Sequence, residues 1–175
     1  MQRTTFSAQH CSVARTLDII GEWWTLLILR DIFYGVRRFE PLVEQLGISR
    51  KVLTHRLKRL TEENILRKEP YQQNPYRYEY RLTTRGLDLM PVLLVMMRWG
   101  DRWLSEGGQA PVEFVHADCG QVSTPKVVCT HCGGELTARN LRPQPGPGAA
   151  QEEIESMRSA SVNPELFKII KDRGI

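Results

Sequence analysis

Two pairs of metal-ligand residues lie close together in the last third of this 175-residue chain. His116 and Cys119 are three positions apart, Cys129 and Cys132 repeat that spacing, and a glycine follows each pair. Imidazole nitrogen and thiolate sulfur are preferred ligands of Zn²⁺, and the glycine permits a tight turn in which backbone amides approach the sulfur. The spacing predicts a tetrahedral zinc site that is closed and structural rather than catalytic.

Alternatives to zinc remain open for these residues. Histidine in place of the first cysteine weakens the match, so a degenerate ribbon that folds without metal is one alternative. A redox pair of Cys129 and Cys132 is another, although a disulfide is disfavoured in a cytosolic protein. His131 is the spare ligand if His116 is misplaced.

Cys11 is a candidate reactive thiol. It directly precedes a predicted amphipathic helix, whose dipole favours a thiolate, and His10 and Arg15 lie close to it in sequence. The alternative is a small half-buried residue that packs at a subunit interface, because a reactive cysteine must be exposed and have a lowered pKa.

A third group of chemically active side chains lies on a predicted basic helix. Leu53, Leu57 and Leu60 form one apolar stripe, and Ser49 is placed to cap the helix. The opposite side offers Arg, Lys, His and Thr side chains that suit base edges and phosphates in a major groove, a solvated basic face being the alternative. Together with the strands that follow, the predicted DNA contacts are Ser49, Arg50, Lys51, Thr54, His55, Lys58, Arg59, Arg67, Lys68 and Arg77.

The elements around this helix have the order of a winged helix-turn-helix. Residues 39–46 have helical apolar spacing, and Gly47 supplies the turn before the basic helix. Residues 65–68 and 76–82 are predicted strands, joined by a turn over 70–75. A hairpin directly after a recognition helix is a wing, whose basic side chains would contact the DNA backbone or minor groove.

Two apolar helices precede the helix-turn-helix. Val13, Leu17 and Ile20 form the stripe of the first, which ends before Gly21. The second covers residues 23–33 and is too apolar for a surface helix, so we expect core positions, with a tryptophan at a ligand pocket or dimer interface as the alternative. The expected core residues are Trp23, Trp24, Leu26, Leu27, Ile28 and Leu29.

A long apolar helix is predicted after the wing. It begins at a cap formed by Thr83 or Thr84 and runs to about Leu104. Because it is apolar on several sides, it must be buried on more than one side, and in so small a domain a second subunit is expected to cover it.

The distribution of charge along the chain is more informative than the total net charge. The net charge is +4, whereas residues 30–85 hold 13 Lys/Arg against 7 Asp/Glu, a net +6. A basic centre suits a module that docks on phosphates.

The polar N-terminus does not resemble a secretory signal, and the longest apolar run is far shorter than the roughly 20 residues of a membrane span. We therefore expect a soluble, cytoplasmic protein with no membrane partner.

Several separate sequence blocks together closely resemble the HxlR-type transcriptional regulators. The blocks are CSVA from Cys11, GEWWTLLILRD from Gly21, RF from Arg38, LGIS from Leu46, LTHRLKRL from Leu53 and YEYRLTTRG from Tyr78. The resemblance covers about residues 11–104 and implies a winged helix-turn-helix fold related to the MarR regulators. It also implies a homodimer formed through the terminal helices and repression or activation at an operator. Some relatives use a cysteine near the first helix as a redox or electrophile switch, and Cys11 matches that place.

The predicted fold is mainly α with a small β-hairpin, followed by a small zinc-ribbon-like β appendage. We assign residues 1–108 to the winged helix-turn-helix DNA-binding and dimerisation domain, 109–142 to the appendage, and 143–175 to a linker and tail. Proline and glycine mark the linker at 142–149, and residues 152–157 and 164–170 are predicted short helices.

These features predict a DNA-binding transcriptional regulator, a repressor that acts as a homodimer on a palindromic double-stranded operator and responds to an effector or to oxidation. A protein-binding adaptor, using the winged helix and ribbon as contact surfaces, is the alternative. We predict that the protein is not an enzyme, because a hydrolytic zinc site needs three protein ligands and an open position.

Overall fold

The helix-turn-helix forms at the residues that favour its turn and its cap. In the computed structural model, which describes residues 5–6, 9–152 and 154–155, helix α3 (Phe39–Leu46) ends at Gly47, whose φ of 62° is left-handed. Helix α4 (Arg50–Glu62) begins after Ser49, and the Ser49 hydroxyl accepts a hydrogen bond from the Val52 amide at 3.3 Å. The predicted turn and cap are confirmed.

The core lies behind α4 and is closed by two helices before it, α1 (Ser12–Ile20) and α2 (Trp23–Phe33). Leu53, Leu57 and Leu60 of α4 are only 0–1% exposed. Burying each such side chain stabilises the fold by about 1.5–3 kcal/mol. The other buried members of the core are Ile20, Ile28, Leu29, Ile32, Leu42, Ile48, Ile65, Leu66, Met90 and Leu93.

The wing is longer than the sequence pattern predicts. Strands β1 (Leu66–Gln73) and β2 (Tyr76–Leu82) pair antiparallel, so the predicted turn over 70–75 is wrong: β1 continues through Pro70, and two residues join the strands. Pro70 is tolerated because β1 is an edge strand, paired on one side only, and the register shifts between Pro70 and Gln72.

The helix predicted from 84 to 104 is interrupted. It consists of α5 (Thr84–Leu87) and α6 (Met90–Leu104), with Pro91 in the first turn of α6. Proline has no amide hydrogen and its ring collides with the carbonyl four residues earlier, so the helix restarts at this point. Thr83 is the cap, and its hydroxyl accepts a hydrogen bond from the Gly86 amide at 3.1 Å.

Part of α2 that the sequence places in the core is exposed. Trp23 is 91% and Leu27 37% exposed, so their core assignment is wrong for the single chain. The buried side of α2 carries Thr25, Ile28 and Ile32. Because an α-helix turns 100° per residue, Trp23 and Leu27 project from the opposite side.

The chain divides into two units, Met1–Pro125 and Lys126–Ile175, each described by itself. In the first unit, a 3₁₀ turn (Glu106–Gly108) follows α6, and strands β3 (Phe114–Val115) and β4 (Val122–Ser123) form a hairpin. In the second unit, Val128 and Glu135 form an antiparallel bridge. The predicted domain boundaries at 108 and 142 stay predictions.

Two predictions concern the chain after this bridge. The helix predicted at 164–170 lies outside the described residues, whereas residues 151–152 and 154–155 are helical. Within the described part of the chain, no helix has the length and apolar composition that crossing a membrane requires.

Two glycines give a matched test of this packing. A Cβ at Gly86 would lie 2.3 Å from the Ile65 carbonyl oxygen, whereas a Cβ at Gly100, inside α6, meets nothing within 4 Å. We expect Gly86→Ala to lower the free energy of unfolding by about 1–3 kcal/mol, and Gly100→Ala to raise it by about 0.5–1 kcal/mol. Urea unfolding measures both, and shifts of the same sign would contradict the described packing at Gly86.

Candidate nucleic-acid interface

The outer side of α4 carries a basic and polar surface. While the leucine stripe is buried, the side chains at the first, second, fifth, sixth and ninth positions of the helix are exposed. These are Arg50, Lys51, Thr54, His55 and Lys58. Ser49 is exposed at the N-terminus of the helix, and Arg59 is half-buried at its margin. The structure therefore places the predicted contacts of α4 along one side of the helix, with Arg59 at the edge.

Three of these cations have carboxylate partners within the protein. Arg50 pairs with Glu40 of α3, with Nη2 and Oε1 2.7 Å apart, and this hydrogen bond raises the pKa of Arg50. Lys58 lies 3.8 Å from Glu62, and Arg59 lies 2.7 Å from Glu63. Exposed ion pairs are weak in water, so a phosphate can compete for these cations.

Lys51 and His55 differ from their neighbours. Both are exposed, and neither has an ion-pair partner among the residues that the structure describes. The Thr54 hydroxyl donates to the Arg50 carbonyl at 2.8 Å, and its lone pairs remain available as acceptors. Lys51 and His55 thus offer donors that no internal contact occupies.

The wing combines tyrosines with basic side chains. Tyr76 and Tyr78 stack with ring centroids 6.4 Å apart, and the Lys68 ammonium lies 4.0 Å from the Tyr78 ring centroid. Arg67 pairs with Glu69 at 2.6 Å, and Arg77 is exposed. The predicted wing contacts are all on the surface, and Arg77 has no carboxylate partner in the described ranges.

Two interactions that support this surface were not predicted from the sequence pattern. Arg56, largely buried on α4, pairs with Glu22 before α2 at 2.8 Å. Arg38 forms a β-bridge with Glu79, and its guanidinium lies 4.1 Å from the Tyr71 ring centroid. Both are long-range pairs, and nothing in the spacing of one sequence indicates which charges meet across such distances.

Cys11 is exposed at the N-cap of α1. Its carbonyl accepts the Arg15 amide at 3.0 Å, and an Arg15 guanidinium nitrogen lies 3.5 Å from His10 Nδ1. In the single chain the thiol is therefore accessible, which is one feature that reactivity requires.

The two metal-ligand pairs each lie in a glycine-ended turn, the first between β3 and β4. His116 Nδ1 is 3.3 Å from Cys119 Sγ, and the Gly120 amide donates to the His116 carbonyl at 2.8 Å. In the second unit, the Gly133 amide donates to the Cys129 carbonyl at 2.8 Å. Both glycines are left-handed, with φ of 69° and 72°.

The Cys129 thiol is surrounded by polar groups. Backbone hydrogen bonds from Cys132 and from His131, and the Cys132 side chain, lower the pKa of Cys129. Considering only the residues that the structure describes, no three His, Cys, Asp or Glu side chains are gathered closely enough to hold a metal ion.

A cleft of about 410 Å³ lies between α6 and the β3–β4 hairpin of the first unit. Apolar side chains, among them Leu94, Met97 and Phe114, line it together with Arg98 and Asp101. Its volume suits a small organic molecule.

Comparisons with known proteins agree with this architecture. The HxlR-like helix-turn-helix family matches residues 19–107. An uncharacterized HTH-type transcriptional regulator of Mycobacterium tuberculosis is 49% identical over 137 residues, which cover 78% of this chain and 87% of that protein.

Two solved structures of regulators are also similar to this chain. The crystal structure of PA1607, a candidate transcription factor, matches with a TM-score of 0.72 and 33% identity, over 82% of this chain and all of that one. The redox regulator HypR, in its oxidized form, matches with a TM-score of 0.51 and 33% identity, over 55% of this chain and all of that one.

The Ser49 cap gives a test of how α4 is held. Ser49→Ala removes the acceptor for the Val52 amide and is expected to lower the free energy of unfolding by about 1 kcal/mol. Ser49→Asp keeps an acceptor at the helix N-terminus and should retain most of the stability. Urea unfolding compares them, and equal losses in both variants would exclude the cap as the cause.

Proposed function

The chain belongs to the HxlR-like helix-turn-helix family, and we propose that it regulates transcription as a homodimer whose two α4 helices enter the major groove of a palindromic operator. The protein is a transcriptional regulator with a helix-turn-helix DNA-binding fold. The observation that carries the proposal is the division of α4 into two sides. Three buried leucines fix the helix in the core, while its basic side stays exposed.

The two kinds of side chain on α4 suit different parts of DNA. Arg50, Lys58 and Arg59 already bind carboxylates within the protein, and a phosphate presents the same chemistry. Lys51 and His55 are exposed donors without an ion-pair partner among the described residues, and we assign them to base edges. Phosphate contacts would fix the position of the protein on the DNA duplex. Base contacts would determine which DNA sequence is bound.

The wing supports this docking. Arg67, Lys68 and Arg77 follow α4 closely in the chain and project from a hairpin whose first residue, Leu66, is buried in the same core. Because the core fixes both elements, the wing would contact the DNA backbone or minor groove while α4 occupies the adjacent major groove.

A second copy of the chain is the proposed partner of α6. Five apolar side chains of α6 lie at helical spacing and are 38–59% exposed, namely Val92, Val95, Met96, Trp99 and Trp103. An exposed apolar stripe marks an interaction surface, and a two-fold dimer would present two α4 helices to half-sites about one DNA turn apart. We propose repression as the mode, since a dimer seated on an operator excludes other proteins from it.

We further propose that a signal controls this binding. HypR is described as a redox regulator, and Cys11 is exposed at the N-cap of α1. Oxidation or alkylation of Cys11 would alter the packing of α1, and the cleft beside α6 is the proposed place for a small-molecule effector.

DNA titrations test the role of α4. Fluorescence anisotropy with the operator upstream of the protein's own gene should show that Lys51→Ala and His55→Ala weaken binding about 10-fold or more, because a base contact contributes about 1–3 kcal/mol. Lys58→Ala should weaken binding to all sequences and reduce the slope of affinity against salt by about one ion. Arg139→Ala removes the same charge from an exposed site in the second unit and is the control. Equal effects of Lys58→Ala and Arg139→Ala would contradict docking through α4.

Sedimentation tests the α6 surface. Trp99→Glu is expected to shift the protein from dimer to monomer at micromolar concentration, because a charge in an apolar interface is not compensated. Leu141→Glu introduces the same charge at a residue that is 49% exposed in the second unit and should leave the dimer intact. A monomeric wild type, or a dimeric Trp99→Glu, would exclude this interface.

A further inference from the structure

We propose that the cleft between α6 and the β3–β4 hairpin binds an organic cation with an aromatic ring, whose positive charge is held by Asp101. All the residues that line this cleft belong to the first unit. The inference deepens the proposed function and rests on it, because the cation would be the small-molecule effector of the regulator.

The inner wall of the cleft is apolar and aromatic. Leu94, Met97 and Phe114 line it, and all three side chains are half-buried. Tyr34 packs against this wall: its ring centroid lies 6.3 Å from that of Phe114, and its hydroxyl donates to Met97 Sδ at 3.8 Å. Aromatic rings attract cations through their faces, and a thioether packs well against a ring. The wall therefore suits a ligand that combines an aromatic ring with a cationic group.

Asp101 supplies the negative charge of this wall. It is half-buried, and within the described ranges no hydrogen bond or ion pair joins its carboxylate to another residue. Burial is the main cause of the raised pKa of Tyr34, and the negative charges of Asp31 and Asp101 add to the rise. Asp101 thus lies near the aromatic wall. A carboxylate that has lost part of its hydration is stabilised by a cation placed against it.

Helical spacing places the apolar wall and the carboxylate on the same side of α6. Leu94, Met97 and Asp101 are separated by three and four positions, so they lie on successive turns. Because residues at this spacing have Cβ atoms about 5–6 Å apart, a ring beside Met97 and an ammonium group beside Asp101 need a linker of only a few bonds. The cleft volume of about 410 Å³ accommodates a ligand of this size.

The basic side chains of the cleft do not reverse this preference. Arg98 Nη1 donates to the Pro125 carbonyl at 2.9 Å, so this guanidinium joins α6 to the chain after the hairpin. Arg102 and Glu113 line the cleft as exposed residues and add one charge of each sign. An anionic ligand would enter beside the Asp101 carboxylate and be repelled by it.

A ligand in this cleft would contact the helix that we propose to hold the dimer. Val95, Trp99 and Trp103 of the proposed dimer surface do not line the cleft, so a bound ligand leaves them uncovered. By filling the space between α6 and the hairpin, the ligand would favour one position of α6 and change the spacing of the two α4 helices. This coupling rests on the proposed dimer, whereas the binding of the ligand does not.

Calorimetric titration of the full-length protein with three matched ligands tests the site. They are 4-phenylbutylamine, 4-phenylbutanol and 4-phenylbutanoate, which share a ring and a chain and differ in charge. We expect the amine to bind once per chain, and the alcohol and the acid to bind about 10-fold or more weakly. Equal affinities, a preference for the acid, or no binding of the amine at millimolar concentration would overturn the proposal.

Variants assign the charge preference to one carboxylate. Asp101→Asn should weaken binding of the amine by about 10-fold and remove its advantage over the alcohol, whereas Asp101→Glu should retain that advantage. Glu113→Gln removes a carboxylate from an exposed position of the same cleft and should change the affinity by less than about 2-fold. Equal losses in Asp101→Asn and Glu113→Gln would exclude Asp101 as the specific partner. Circular dichroism verifies the fold of each variant, and the comparison of the three ligands on the wild type needs no variant.

Operator binding, measured on the same samples with and without the amine, separates this inference from the proposed function. An amine that fails to bind a protein that still binds its operator through α4 would overturn the cation site alone. An amine that binds as expected to a protein without operator affinity would overturn the proposed function alone. We expect saturating amine to change the operator affinity, and an unchanged affinity would overturn its role as effector.

Discussion

The burial of one side of α4 is the constraint on which the first unit depends. Leu53, Leu57 and Leu60 are inaccessible to water, so the helix cannot rotate without exposing them. The same core holds Ile65 and Leu66, where the wing begins. One apolar cluster therefore fixes the angle of the helix, the direction of the wing and the side on which the basic residues lie.

Local periodicity and capping were enough to predict much of this arrangement. The bounds of α1 to α4, the left-handed Gly47 and the Ser49 cap follow from patterns within a few residues. Two of the errors in the predicted elements occur at prolines. Pro91 divides a helix whose apolar pattern is continuous, and Pro70 stays in β1 because that strand has a free edge.

The buried side of a helix and the partners of charged side chains were harder to predict from the sequence, for a physical reason. Trp23 is apolar but lies on the side of α2 away from the core, and composition alone carries no information on which side is buried. The Arg56–Glu22 and Arg50–Glu40 pairs join residues on different elements, which no helical spacing specifies. The sequence blocks that resemble the family predicted the fold, whereas the partner of each charged side chain is visible only in the three-dimensional structure.

Base recognition by α4 is tested most directly by selecting bound sequences from a random DNA pool with the wild type and with a Lys51→Ala, His55→Ala double variant. The wild type is expected to select a palindrome with half-sites about one helical turn apart. The variant should bind DNA with reduced preference at the positions within each half-site. An identical motif for both proteins would contradict base recognition by α4, and a wild-type motif without two-fold symmetry would contradict the dimer.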